Sequence, residues 1–160
     1  MKEYIYNRKG VLDYAKEWAL KRNPNYFNFD NFGGDCTNFA SQCIHAGCNI
    51  MNYTPVFGWY YNNSSDRTAS WTGVEYLYNF LINNKGIGPF AKEVSKDEVD
   101  IGDIIQLGDY TNHYYHSPVV IKKEDNNIFV AAHSDDTYMR NILTYKFDKI
   151  RYIHIIGVHK

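Results

Sequence analysis

Apolar positions recur at helical spacing in the first half of the chain and alternate or cluster as strands in the second. Leu12, Ala15, Trp18 and Ala19 share one face of a helix that stops near Asn23 and Pro24. Residues 25–34 are aromatic and turn-rich and close on Gly33 and Gly34, the pattern of a loop. Phe39, Cys43 and Ile44 then mark the apolar face of a three-turn helix beginning at Cys36. Asp35 suits its N-cap, and Gly47 suits a left-handed residue just past its last turn. Residues 52–72 place Pro55, Gly58, Trp59, Tyr60, Tyr61 and Trp71 among turn formers and read as a long irregular loop. Helical periodicity returns over 73–83 through Val74, Leu77, Phe80 and Leu81.

Strands follow. Residues 101–107, 116–121, 127–133 and 152–158 are short apolar or alternating runs, with a turn at 123–126 between the second and third. Helices first and strands afterwards predict an α+β fold. No repeat, linker or low-complexity tract divides residues 1–160, so a single domain is expected, large enough to bury roughly 70% of its unfolded surface.

Charge narrows the partners. Seventeen basic and eighteen acidic residues give a net charge of −1 without a basic stripe, which excludes a nucleic-acid surface. No apolar run is long enough to span a bilayer. The start, Met1 to Tyr6, lacks the charged lead and apolar stretch of a signal peptide, so a cytoplasmic location is expected. A leader on a longer precursor would instead send the protein to the cell wall or outside. Fifteen tyrosines fit either an amphipathic groove or a biased genome. Oligomeric state is not legible.

Three cysteines, Cys36, Cys43 and Cys48, form no closed disulfide framework, although a Cys43–Cys48 pair is open. No second Cys or His pair stands at zinc-ligand spacing, and neither a metal nor a cofactor is called for. Cys36 stands apart by position. At a helix start after two glycines, the dipole stabilises a thiolate and free backbone N–H groups can hold an oxyanion. Such a nucleophile needs a base, and imidazole matches neutral pH best. His45 lies on another face of the same helix, His113 in a loop, His154 inside a strand and His159 near the terminus. His116 opens an apolar strand, where a side chain projects from the sheet rim, and His133 borders the next strand.

Gly34 to Cys43, followed by His45-Ala46-Gly47, resembles the signature of the Putative amidase domain family, a relative of the NlpC/P60 and papain-like cysteine peptidases. Residues 102–107, His116 to Val120 and Phe129 to Ser134 resemble the strands that follow in NlpC/P60 domains. The likeness implies a papain-like fold with the nucleophile helix packed on a small antiparallel sheet. It also implies a triad of Cys36, His116 and His133, with Asp135 or Asn127 as alternatives for the third place. Cys48 stands where the family usually carries a second glycine.

The implied activity is hydrolysis of an amide in a peptide or small acyl compound, through an acyl-thioester on Cys36. Two alternatives stand beside it: an acyltransferase that passes the same thioester to an amine, and an inactive binding domain using residues 59–61. Asp35 is expected to cap rather than react, and Gln42 lies far along the helix for an oxyanion donor.

Overall fold

The computed structural model describes all 160 residues. It is α+β, with a curled antiparallel sheet and few helices. In chain order the elements are β1 (Glu3–Tyr4), α1 (Arg8–Trp18), α2 (Cys36–Cys48), β2 (Tyr61–Asn63), β3 (Asp66–Arg67), α3 (Ala69–Thr72) and α4 (Val74–Asn83). Then come β4 (Gly88–Val94), β5 (Ile104–Gly108), β6 (Tyr114–His116), β7 (Val119–Glu124), β8 (Asn127–Ala132), β9 (Thr137–Asn141) and β10 (Lys149–His159).

Eight strands form one sheet along the order β1-β10-β5-β7-β8-β9, with β4 paired to β10 and β6 to β5. The long β10 holds it together, pairing β5 through Lys149–Ile153 and β4 through Tyr152–His159. Strands β6 and β7 are one run interrupted at Ser117 and Pro118. Proline cannot donate to a ladder, so the pairing with β5 breaks there and resumes at Val119, opposite Ile104. Within that break lies Ser117, whose buried hydroxyl turns toward α2.

Apolar side chains fill both sides of the sheet. The larger cluster joins α1, α2 and α4 to one face through Val11, Phe39, Ile44, Leu77, Ile104 and Ile153. The smaller one, with Val99, Ile105, Leu107, Val120, Ile128, Val130 and Ile142, covers the other. The period-two alternation of β5 (Ile104 to one cluster, Ile105 to the other) shows why it is buried throughout.

Helix α2 ends later than its sequence indicates. Gly47 is not the left-handed residue; Asn49 is, at φ 53°. Gly47 is inside the helix, where a Cβ would stand 2.4 Å from Tyr6 Cε2 and 2.7 Å from Val11 Cγ2. Close approach to Tyr6, not a turn, requires glycine.

Residues 52–72 are also more ordered than a long loop. They carry the β2–β3 hairpin, α3 and a bridge between Asn52 and Trp59. Trp59 and Trp71 are wholly buried and pack 4.7 Å apart by ring centroid, so these aromatics are core and not groove. Helix α2 receives their polar edges: Trp71 Nε1 donates to Asn38 Oδ1 at 3.0 Å and Trp59 Nε1 to Ser41 Oγ at 3.1 Å. Burying indole without such partners would cost about 1–3 kcal/mol per orphaned group. All three cysteines are free, which corrects the possible Cys43–Cys48 pair. No helix is long and apolar enough to cross a membrane.

Candidate active site

Cys36 is the first residue of α2 and the only partly accessible cysteine; Cys43 and Cys48 are buried. Gly33 and Gly34, at φ 95° and 101°, take left-handed backbone that only glycine adopts cheaply, and so deliver the chain into the helix start. The thiol opens into a cleft of about 400 Å³ between the start of α4 and the approach to β6, lined by Gly33, residues 72–76 and residues 112–115.

The segment carrying His116 closes over the sulfur. Cys36 Sγ lies 3.8 Å from the carbonyl oxygen of Tyr115, and Thr37 Oγ1 lies 3.2 Å from Ser117 Oγ. The neighbours of His116 on both sides therefore touch the first two residues of α2. Ser117 is itself fixed: Gln106 Nε2 donates to its Oγ at 3.1 Å and to the Val74 carbonyl at 2.9 Å. Arg151 donates to Gln106 Oε1 and pairs with Glu75 at 3.0 Å. One buried amide thus ties the sheet to α4 and to the His116 strand.

Burial favours the neutral forms of both Cys36 and His116. Burial pushes the Cys36 thiol up, opposed by hydrogen bonds from Thr37 and the Ser117 backbone and reinforced by Asp35. Burial pushes His116 down to about 4, Arg140 adds to the effect and Asp135 opposes it. A neutral imidazole at neutral pH can accept a proton from a neutral thiol, which is the state general-base catalysis needs.

His133 lies elsewhere. It is buried, its Nε2 donates to the Trp18 carbonyl at 2.8 Å, its Nδ1 meets Asp35 Oδ2 at 2.7 Å, and its ring stacks 4.1 Å from Phe39. Both ring nitrogens are engaged behind α2, and neither contacts His116. The orienting role expected of His133 is corrected on that ground: it braces the residue before the thiol. Asp35 holds the N-cap position but makes no cap hydrogen bond. Its Oδ1 accepts from Phe29 N at 2.8 Å and Asn38 Nδ2 at 2.9 Å, and Arg22 Nε stands 3.3 Å from Oδ2. The same carboxylate that a cap would use thus pins the glycine loop to the helix.

Of the alternatives for the third place, Asn127 opens β8, the strand whose far end leads to His133, and its Oδ1 accepts from Asn141. Asp135 is on the His116 side, exposed, at φ 57°, with its carboxylate 3.8 Å from Arg140. Gln42 is buried, and its Oε1 accepts from Tyr14 at 2.5 Å.

The remaining histidines have structural company. His45 packs on Trp59 and Trp71, His154 meets Asp103 at 2.7 Å and His159 stacks on Phe90. His113 lines the cleft. No group of three or more His, Cys, Asp or Glu side chains is arranged to hold a metal ion. The sequence reading missed Tyr145, whose ring lies 5.2 Å from that of His116. It is a lone aromatic in a turn-rich stretch, and no local pattern marks it.

An uncharacterised Bacillus subtilis (strain 168) protein, YhbB, is 35% identical over 143 residues, covering 86% of this chain and 44% of that protein. A second uncharacterised protein of the same organism, YjcM, is 25% identical over 162 residues, covering 94% of this chain and 37% of its own. The chain therefore spans less than half the length of either relative. No solved structure matches it. A helix-start cysteine in a cleft, overlain by a histidine strand, agrees with the match of residues 5–156 to one family model, and the chain belongs to that family, the Putative amidase domain.

Proposed function

We propose that the protein hydrolyses an amide bond by way of an acyl-thioester on Cys36, with His116 as general base, in a papain-like arrangement. The observation that supports this most is the closure of residues 115–117 over the accessible thiol at the start of α2. His116 takes the thiol proton as sulfur attacks the substrate carbonyl. The first turn of α2 leaves backbone N–H groups without intrahelical partners, and these face the oxyanion that develops. Collapse of the tetrahedral intermediate breaks the C–N bond, and the His116 imidazolium protonates the departing amine. Water, deprotonated by the same imidazole, then releases the acid and restores the thiol.

Holding the thiol and imidazole neutral until substrate arrives protects Cys36 from oxidation, which proceeds through the thiolate. Amide or peptide substrates suit the cleft, whose walls bring Tyr76, Tyr114 and Tyr115 together with residues 72–75.

Iodoacetamide tests the site without knowledge of the substrate. Near neutral pH it is expected to label Cys36 ahead of Cys43 and Cys48, and His116→Ala is expected to slow that labelling by on the order of a hundredfold. Equal labelling with and without His116 would refute the assignment.

A further inference from the structure

Correcting His133 leaves the base without an orienting partner, since His116 makes no hydrogen bond that influences its titration. Beside it stands the counterpart vacancy. The Tyr145 ring lies 5.2 Å from the His116 ring, tilted by 54°, and its hydroxyl is buried without any hydrogen-bond partner. Only one other side-chain atom in the protein, Arg22 Nε, is in that condition. An orphaned buried hydroxyl is destabilising, so its retention asks for a compensating role.

The phenol is held firmly. Arg140 stacks its guanidinium 3.6 Å from the Tyr145 ring centroid while donating to Thr144 Oγ1 at 2.8 Å and to the Thr144 carbonyl at 3.1 Å. The guanidinium lies over the ring and makes no hydrogen bond of good geometry to the hydroxyl. Burial raises the Tyr145 pKa most; Arg140 opposes it by its charge and its nearness to the hydroxyl, and Asp135 and then Cys36 add smaller upward effects. It therefore shares one neighbourhood with both members of the pair.

We propose that Tyr145 is the positioning residue for His116, its phenol oxygen accepting the hydrogen bond of the imidazole N–H turned away from Cys36. That bond selects the tautomer whose bare nitrogen faces the thiol. With the rings 5.2 Å apart, closing that bond requires the imidazole to turn, in keeping with the looser hydrogen bonds of catalytic groups before substrate binds. Once His116 takes the thiol proton, one imidazolium N–H stays on the phenol oxygen and the other is aimed at the leaving amine. The phenol keeps its own proton throughout. Asp135 is the rival, but its carboxylate is 96% exposed and already faces Arg140. Water screens such a charge, and a packed ring orients better.

The proposal rests on the Cys36–His116 reading, and its test keeps the two apart. Wild type, Tyr145→Phe, His116→Ala and the double variant are each treated with iodoacetamide near pH 7 and near pH 10, and with 4-nitrophenyl acetate near pH 7. Phenylalanine keeps the ring under Arg140 and removes only an unpartnered atom, so the fold is expected to survive. Tyr145→Phe is expected to slow alkylation and acylation near pH 7 by the same factor, roughly ten- to a hundredfold, less than the 10²–10⁴ a whole base supplies. Near pH 10, where hydroxide competes with the imidazole for the thiol proton, the gap in alkylation from wild type narrows. In the His116→Ala background the substitution has no further effect.

Unchanged rates near pH 7 would overturn the positioning role alone. Slowing confined to 4-nitrophenyl acetate would make the hydroxyl an oxyanion donor, and equal slowing at both pH values would mean structural damage; either result overturns the proposal. Wild-type labelling of His116→Ala would overturn this role and the general-base reading together.

Discussion

His133 Nδ1 lies 2.7 Å from Asp35 Oδ2, and the next residue along the chain is Cys36, the proposed nucleophile. That contact joins the end of β8 to the start of α2, and the Trp18 carbonyl on the other ring nitrogen adds the end of α1. His133→Ala would leave the Asp35 carboxylate buried beside Arg22 alone. Breaking a buried pair of this kind costs about 3–5 kcal/mol, reduced here by the two N–H donors that remain on Asp35. A drop of about 2–4 kcal/mol in urea unfolding is expected, with more residual activity in the folded protein than His116→Ala retains. The opposite ranking of activities would return His133 to the reacting centre.

The titration of His116 makes stability depend on pH. Its folded pKa, about 4, is below the ordinary value near 6.5. Between those values the unfolded chain binds the proton and the folded one does not, so stability is full above about 6.5 and declines as pH falls toward about 4. His45, also lowered by burial, acts in the same direction. The urea midpoint is expected to fall over this window, and His116→Gln is expected to flatten the fall. Parallel curves for the two proteins would show that His116 contributes nothing to it.

Gly47→Ala sets two effects against each other. Helix propensity favours alanine by about 1 kcal/mol. The new Cβ, however, meets Tyr6, whose hydroxyl is anchored to the Gly102 carbonyl at 2.9 Å, and buried Val11. Overpacking of about 1–3 kcal/mol prevails. Net destabilisation is therefore expected in thermal melts, and a gain in stability would mean that Tyr6 yields freely.

Trp71 is expected to behave as core. Its ring is fully buried and its indole bonds Asn38, so Trp71→Ala should lose about 3–5 kcal/mol. Intact stability in a urea titration would restore the view of this segment as an exposed contact surface.

The legible parts of the fold were those carried by local pattern. Helix α1, the start of α2 at Cys36, α4 and the apolar strands all show periodicity within a few residues. Strand β4 was missed because Gly88 and Pro89 open it and read as a break; its partner β10 lies some sixty residues on, so only tertiary pairing makes it a strand. The β6–β7 interruption hid behind an apolar run that looked continuous across Pro118. At the site, Cys36 stands at a helix start as its sequence indicates, whereas His116, expected to open a strand, closes β6. The roles of His133 and Tyr145 depend on which side of α2 each side chain meets, and that is set by the curl of the sheet, not by spacing along the chain.

Trapping the covalent intermediate bears most directly on the chemistry at Cys36. The protein is mixed with 4-nitrophenyl acetate, quenched in acid within the first turnover, digested and sequenced by mass spectrometry. The expected result is a single acetyl group on the peptide that opens α2, at Cys36, absent from Cys36→Ala, which releases no nitrophenol above background. Acetylation at another residue, or undiminished release by Cys36→Ala, would contradict the account.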